Sequence, residues 1–145
     1  MKLGAVVWTF LAVVVACWAT LADLQSQENE GTPIKSVHLF DLPSGISRAQ
    51  IEDALGQLNQ AIVSTGHTEA GYALWEVNQA QVPGYPSIGY PFIMEGVWPS
   101  QPAYDEIHEA PAFRAAIEEN RAILQAISDA SAYSRYQKVR LGGRR

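Results

Sequence analysis

Cysteine is almost absent from this chain of 145 residues, since Cys17 is the only one and lies in an apolar N-terminal stretch. The rest of the chain cannot form an internal disulfide even in an oxidising compartment, so packing must stabilise its fold. The three histidines, with no further cysteine, have no recognisable metal-ligand spacing. We therefore predict no metal site.

The motifs of several other chemistries are also missing. The sequence has no Gly-x-Ser-x-Gly elbow and no glycine loop that could hold a phosphate before a helix. Positive charge is scarce as well, because the net charge is −5 and the one basic cluster, Arg140, Arg144 and Arg145, is typical of a solvated tail. Nucleic acid is thus not an expected partner, since phosphate binding needs clustered positive charge.

The first 22 residues have the pattern of an export signal. Lys2 followed by the apolar run Leu3 to Ala16 predicts a signal peptide over residues 1–22, cleaved after Ala22. We therefore expect an exported protein, periplasmic or secreted.

Two alternatives remain for the same segment. Val14 to Cys17 resembles a bacterial lipobox, in which Cys17 would be lipidated and would anchor a lipoprotein. The stretch Leu3 to Ala22 also has about the length of a membrane-spanning helix, which an uncleaved anchor would use. In all three cases the domain lies outside the cytoplasm, and it meets a membrane only through this segment.

Residues 23–33 are polar and lack periodic apolar positions, which predicts a flexible spacer. One domain should follow over residues 34–141, with a basic tail at 142–145. Ser47 and Gln50 form a capping-box pair at the start of the first helix, and Gly66 can close its last turn. Ser100 can cap a second helix, which Pro111 should break or kink, and an apolar stripe from Phe113 to Ile127 predicts one long helical segment beyond Pro111. The sequence predicts four strands, which run from about Ile34 to Leu42, Gly71 to Val77, Ile88 to Trp98 and Ala132 to Leu141.

The order strand, helix, strand, strand, helix, strand predicts an α+β, ferredoxin-like βαββαβ fold. In this fold a four-stranded antiparallel sheet carries two helices on one face. We expect apolar residues on the opposite face, drawn from Phe40, Trp75, Ile93 and Val97 or their alternates, and a second copy of the chain to cover them. The sequence therefore predicts a homodimer.

The stretch EGVWPSQPAYDEIHEAPAFRAA, residues 95–116, resembles the second-helix region of the dimeric α+β barrel superfamily, in particular its antibiotic-biosynthesis-monooxygenase-like members. The matching positions are Trp98, Ser100, Ala103, Pro111 and Phe113. The chain departs from the family at its two histidine positions, which here are Ile107 and Ala112. No catalytic histidine is therefore transferred from the family to this chain.

The resemblance implies a dimeric α/β barrel with a ligand cavity between sheet and helices, acting on an electron-rich aromatic substrate without a cofactor. His108 is our candidate base, because a neutral imidazole can take a proton from an acidic phenol or enol near pH 7. Glu95 is the second candidate catalytic residue. Aromatic residues should line the cavity and bind a small apolar or aromatic ligand: Trp75, Tyr90, Phe92, Trp98, Tyr104 and Phe113.

Two other functions remain open for the same residues. The domain could be a non-catalytic dimerisation or interaction module, because ordinary core packing also explains the aromatic residues. It could also bind or degrade haem, which would require His108 to face a slot wide enough for a porphyrin.

Overall fold

The computed structural model describes residues 31–77 and 89–139. The predicted signal peptide, most of the spacer and the basic tail lie outside the described residues. Export, its alternatives and the domain bounds therefore stay predictions. Within the described ranges, no helix has the length and hydrophobicity needed to cross a bilayer.

Four strands and four helices make up the described part of the chain. In chain order they are β1 (Ile34–Phe40), α1 (Arg48–Ser64), β2 (Gly71–Glu76), β3 (Phe92–Trp98), α2 (Gln101–Glu109), α3 (Pro111–Glu119), α4 (Arg121–Ala130) and β4 (Ser131–Gln137).

The strands form one antiparallel sheet in the order β2-β3-β1-β4. Strand β3 separates β1 from β2, and β1 separates β3 from β4, so each helical connection crosses over one strand. This pair of split β-α-β units defines the ferredoxin-like arrangement. The predicted α+β, ferredoxin-like fold is confirmed.

The predicted start and end of α1 are confirmed. Ser47 Oγ accepts a hydrogen bond from the Gln50 backbone N–H, and the Gln50 side chain accepts one in return from the Ser47 N–H, so two N–H groups without intrahelical partners are satisfied. Gly66, with φ +93°, closes the other end. The apolar stripe of α1 packs into the core: Ile51, Ala54, Leu55, Leu58 and Ile62.

The helical region after β3 is divided twice. Ser100 Oγ caps α2 and Pro111 ends it, as predicted. A single helix was expected beyond Pro111, but Asn120 separates α3 from α4. The buried Asn120 amide donates to Gln57 Oε1 and to the carbonyl of Ala116, so the side chain competes with the backbone for hydrogen bonds.

Two strands are shorter than predicted because β1 limits them. Strand β3 was expected to begin at Ile88, but it begins at Phe92, which pairs with Phe40 at the end of β1. Pro91, just before it, has no N–H to donate to either neighbour. Strand β4 was expected to run past residue 137, but Gln137 pairs with Ile34, where β1 begins.

The two sheet faces have different surroundings. The inner face packs against the helices and includes Phe92, Met94 and Trp98 of β3. Phe40 was expected on the opposite face, but its side chain is fully buried in this core, stacked on Phe92 with ring centroids 5.8 Å apart. On the outer face, Lys35 and Glu95 form an ion pair. The side chains around this pair are mostly apolar or small and include Val37, Leu39, Ala73, Trp75, Ile93, Val97, Ala132 and Tyr136.

Candidate functional site

A cavity of about 410 Å³ lies between the inner face of the sheet and the helices. Its residues come from β1, β2, β3 and β4 on one side and from α1, α2, α3 and α4 on the other. Its walls are mainly aromatic and aliphatic, with two histidines and two serines. The lining residues are Ser36, His38, Leu58, Tyr72, Met94, Trp98, Tyr104, His108, Ile117, Leu124, Ser128 and Tyr133.

Trp98 is the centre of the aromatic wall. It is the last residue of β3, and its fully buried indole meets Tyr72 and Tyr104 edge-on, with centroid distances of 5.3 and 5.2 Å. Its Nε1–H donates to Ser36 Oγ on β1 at 3.4 Å. The indole is thus held by its neighbours in one orientation, which gives the cavity a flat and rigid wall.

Gly96 leaves the space that this packing needs. It lies on the inner face of β3 between Ser36 of β1 and Tyr72 of β2. A Cβ at this position would be 2.5 Å from Ser36 Oγ and 3.1 Å from an atom of each of the Trp98 and Tyr72 rings. Any larger residue would therefore disturb the wall.

His108 is fixed within this aromatic group. Its Nδ1 is 2.7 Å from the carbonyl oxygen of Tyr104, one helical turn earlier. A carbonyl only accepts hydrogen bonds, so Nδ1 carries the proton and the neutral ring has its lone pair on Nε2. The imidazole stacks on the Tyr104 ring at 3.7 Å and meets Trp98 and Phe113 edge-on. Burial lowers the pKa of His108, which favours the neutral form near pH 7.

His38 is a second histidine at the same cavity. It lies on the inner face of β1, 2.9 Å from Ser131 Oγ through Nδ1, with its ring 4.6 Å from that of Tyr133. Burial lowers the pKa of His38 as well. The cavity thus has two neutral imidazoles, one on the sheet and one on α2.

The cavity tyrosines are also kept in their neutral forms. Burial has the largest effect on the pKa of Tyr72, which it raises, and the nearby Tyr104 and Tyr133 raise it further. Burial likewise raises the pKa of Tyr104. Their hydroxyl groups can therefore donate hydrogen bonds to a bound molecule over the whole physiological pH range.

The structure brings three of the predicted site residues to the cavity, namely His108, Trp98 and Tyr104. Phe113 and Phe92 belong to the core, and of these Phe113 touches the His108 ring.

The other three predicted residues lie elsewhere. Glu95 and Trp75 are on the outer face of the sheet, where Trp75 Nε1 donates to Glu95 Oε2 at 2.9 Å and Lys35 pairs with Glu95. They do not contribute to this cavity, because side chains alternate along a strand and theirs point away from the helices. Tyr90 precedes β3 and is half-buried, outside the cavity lining.

Sequence reasoning missed five polar residues of the cavity: Ser36, His38, Tyr72, Ser128 and Tyr133. Strand alternation puts His38 on the same face as Ile34, Ser36 and Phe40, but it does not say which face of β1 the helices cover.

The described residues contain no cluster of three or more His, Cys, Asp or Glu side chains that could hold a metal ion. The predicted lack of a metal site stays a prediction for the whole chain.

No family model and no curated protein matches this sequence. Several solved structures resemble it in fold. A dimeric ferredoxin-like protein of unknown function from Thermobifida fusca is 18% identical, with 74% of this chain and 91% of that chain covered and a TM-score of 0.42.

Two further solved structures also resemble it in fold. SnoaB, a cofactor-independent oxygenase from Streptomyces nogalater, is 10% identical, with 77% of this chain and 95% of that chain covered and a TM-score of 0.42. A DABB family protein with a ferredoxin-like fold from Mesorhizobium loti is 14% identical, with coverages of 77% and 99% and a TM-score of 0.45. This chain thus resembles ferredoxin-like proteins, and its own strand order defines its fold.

Proposed function

We propose that this protein binds a small aromatic molecule in the cavity between sheet and helices. The observation that carries the proposal is the cavity itself, which has about 410 Å³ of space and a wall built from Trp98, Tyr104 and Tyr72. Small-molecule sites usually have about 300–1,000 Å³, with apolar walls and a few polar groups. A flat ring can stack on or meet these aromatic side chains edge-on.

His108 would bind the polar edge of such a ligand. With Nδ1–H directed at the Tyr104 carbonyl, Nε2 is the remaining polar atom of the neutral ring and it accepts hydrogen bonds. A phenol or enol hydroxyl is the matching donor, and its proton can pass to Nε2 when the ligand is acidic enough. The ligand class is therefore a hydroxylated aromatic molecule.

Proton loss would also prepare the ligand for oxidation. An enolate formed from a ring CH₂ group can give electrons to dioxygen, so that CH₂ and O₂ become a carbonyl group and water. The substrate supplies all four electrons, so this reaction needs neither a reductant nor a cofactor. Cofactor-independent monooxygenase activity is the finer form of the proposal, with His108 as the base.

A homodimer is the second part of the proposal. The outer face of the sheet has exposed Trp75, Val97 and Tyr136 beside half-buried Leu39 and Ile93. An apolar face of this kind is unfavourable in water, and a second copy packed face to face would cover both sheets.

The test is a thermal-shift screen of the full chain with quinols, flavonoids and hemin, followed by oxygen uptake for each ligand that binds. A ligand at about 100 times its Kd should raise Tm by on the order of 10 °C. The critical variant is His108→Asn, whose side-chain amide can still donate to the Tyr104 carbonyl but lacks the Nε2 acceptor. It should lose most of the shift caused by hydroxylated ligands.

His67→Asn is the matched control, because His67 lies before β2 and interacts with Glu69 and Glu106 rather than with the cavity. It should respond as the native protein does. No shift with any ligand would contradict the proposal and favour a non-catalytic module. Binding without oxygen uptake would leave ligand binding intact and exclude the oxygenase form, and a hemin Soret shift would favour a haem protein.

A further inference from the structure

Arg135 lies beside the cavity, against Tyr104. It is on the inner face of β4, paired in register with the cavity residue Ser36. Its guanidinium carbon is 4.3 Å from the centre of the Tyr104 ring. Because the His108 imidazole stacks on the same ring at 3.7 Å, the cation and the imidazole take opposite faces of Tyr104.

A second recess, of about 390 Å³, lies at Arg135, and its lining shares no residue with that of the cavity. Tyr104 stands between Arg135 and the His108 side of the cavity. A ligand that passes the Tyr104 side chain would therefore have its far end close to the guanidinium. The residues lining the recess are Ile34, Gln101, Arg135, Tyr136 and Gln137.

Neutral groups contact Arg135 within the described residues. Its Nη2 donates to Gln101 Oε1 at 2.9 Å, and its guanidinium lies over the Tyr104 ring. The ion pairs within residues 31–77 and 89–139 use Lys35, Arg48, His67 and Arg121 instead. A guanidinium has five N–H donors in a planar fork that suits a carboxylate.

The positive charge of Arg135 also reaches the cavity wall. Burial has the largest effect on the pKa of Tyr104, which it raises, and Arg135 opposes it. At His108, burial lowers the pKa and Arg135 lowers it further. Asp105 acts in the opposite direction at both residues, but its effect is smaller than that of Arg135. Arg135 is therefore the strongest of the charged groups that act on these two residues, although the whole chain has a net charge of −5.

We infer that the recess at Arg135 is a subsite for an anionic group, so that the ligand is a hydroxylated aromatic acid. This inference rests on the proposed function, because it takes the aromatic part of the ligand to lie in the cavity. The ring would lie in the cavity and the hydroxyl would meet His108, while the carboxylate would extend past Tyr104 to the guanidinium of Arg135. Arg135 is then the residue that selects acids over neutral aromatic molecules.

The experiment compares two probes of similar ring size, 6-hydroxy-2-naphthoate and 2-naphthol, by isothermal titration calorimetry on the full chain. Native protein should bind the acid more tightly. Arg135→Gln, which removes the charge but keeps an amide, should weaken binding of the acid by roughly ten-fold or more and change binding of the naphthol by less than about two-fold. Arg135→Lys should keep much of the preference, and added salt should reduce it.

Arg121→Gln is the matched control, because Arg121 is an exposed arginine that pairs with Glu118 at the α3–α4 boundary. It should leave both affinities unchanged. If native protein binds the naphthol as tightly as the acid, or if Arg135→Gln weakens both probes equally, the anionic subsite is refuted while the proposed function stands. If neither probe nor any other aromatic molecule binds, both proposals fail.

Discussion

Replacing Gly96 with alanine tests the packing on which the cavity wall depends. The new Cβ would lie 2.5 Å from Ser36 Oγ, a distance that real Cβ atoms essentially never show, and 3.1 Å from Trp98 Cζ2 and Tyr72 Cε1. These neighbours are held in place, because Ser36 Oγ accepts the hydrogen bond of the buried Trp98 N–H. The methyl group therefore has to displace the hydroxyl and both rings.

The expected loss of stability follows from two opposing effects. Overpacking a well-filled interior costs about 1–3 kcal/mol. Removing a glycine from a strand returns about 0.5–1 kcal/mol, because the unfolded chain becomes less flexible. We expect Gly96→Ala to lower the free energy of unfolding by about 1–2 kcal/mol, measured by urea denaturation with circular dichroism at fixed protein concentration.

Two further variants make the measurement specific. Gly56→Ala is the matched control, because Gly56 is exposed on α1 with open space around it, and it should stabilise the protein by about 0.5–1 kcal/mol. Ser36→Ala removes the closest contact, so the double variant should be less destabilised than the sum of the single variants, by about 1 kcal/mol. A Gly96→Ala protein as stable as the native one, or a fully additive double variant, would refute the described packing.

Three other predictions concern pH, a helix boundary and the outer face. Burial lowers the pKa of His38 and His108 below the ordinary 6.5, so the unfolded state takes up protons first as pH falls. Stability should therefore be full well above pH 6.5 and decrease as pH falls through 6.5, and a variant with both residues changed to Asn should show a flatter profile in urea titrations. Asn120→Ala should cost about 1–3 kcal/mol in the same assay, because a buried hydrogen-bonded amide is lost; an unchanged midpoint would contradict its structural role. Trp75→Lys should convert a dimer to a monomer in sedimentation equilibrium. Val63→Lys should not, although Val63 on α1 has a similar exposed fraction, 53% against 56% for Trp75. Equal behaviour of the two variants would argue against the outer face as the interface.

Local signals were sufficient for most of the fold. The capping box at Ser47 lies within the residues that it organises, and Pro111 limits a helix by its own covalent structure. Side chains also alternate along any strand, which is enough to put Phe92, Met94, Gly96 and Trp98 of β3 on one face. Each of these features depends on neighbours in sequence, so one sequence was enough to find it.

The features that were missed depend on distant residues. The break at Asn120 involves Gln57 of α1, and the apolar stripe continues across it without a sign of interruption. The inward direction of Phe40 was not readable either, because both faces of β1 have apolar residues and period two does not say which face is covered.

The same ambiguity explains the mixed outcome at the site. Trp98, Tyr104 and His108 follow one another through a strand end and a capped helix, so their proximity was readable from spacing. Trp75 and Glu95 were plausible as cavity residues until the orientation of the sheet was known. His38 and Tyr133 were missed because they lie on different strands that become neighbours only in the pairing of β1 with β4.

The most direct test of the account is a crystal structure of the protein grown with 6-hydroxy-2-naphthoate. The account predicts density for the ring in the cavity beside Trp98, with its hydroxyl within hydrogen-bond distance of His108 Nε2 and its carboxylate towards Arg135. Density for the probe only outside the cavity, or a cavity closed by the side chains around it, would contradict the account.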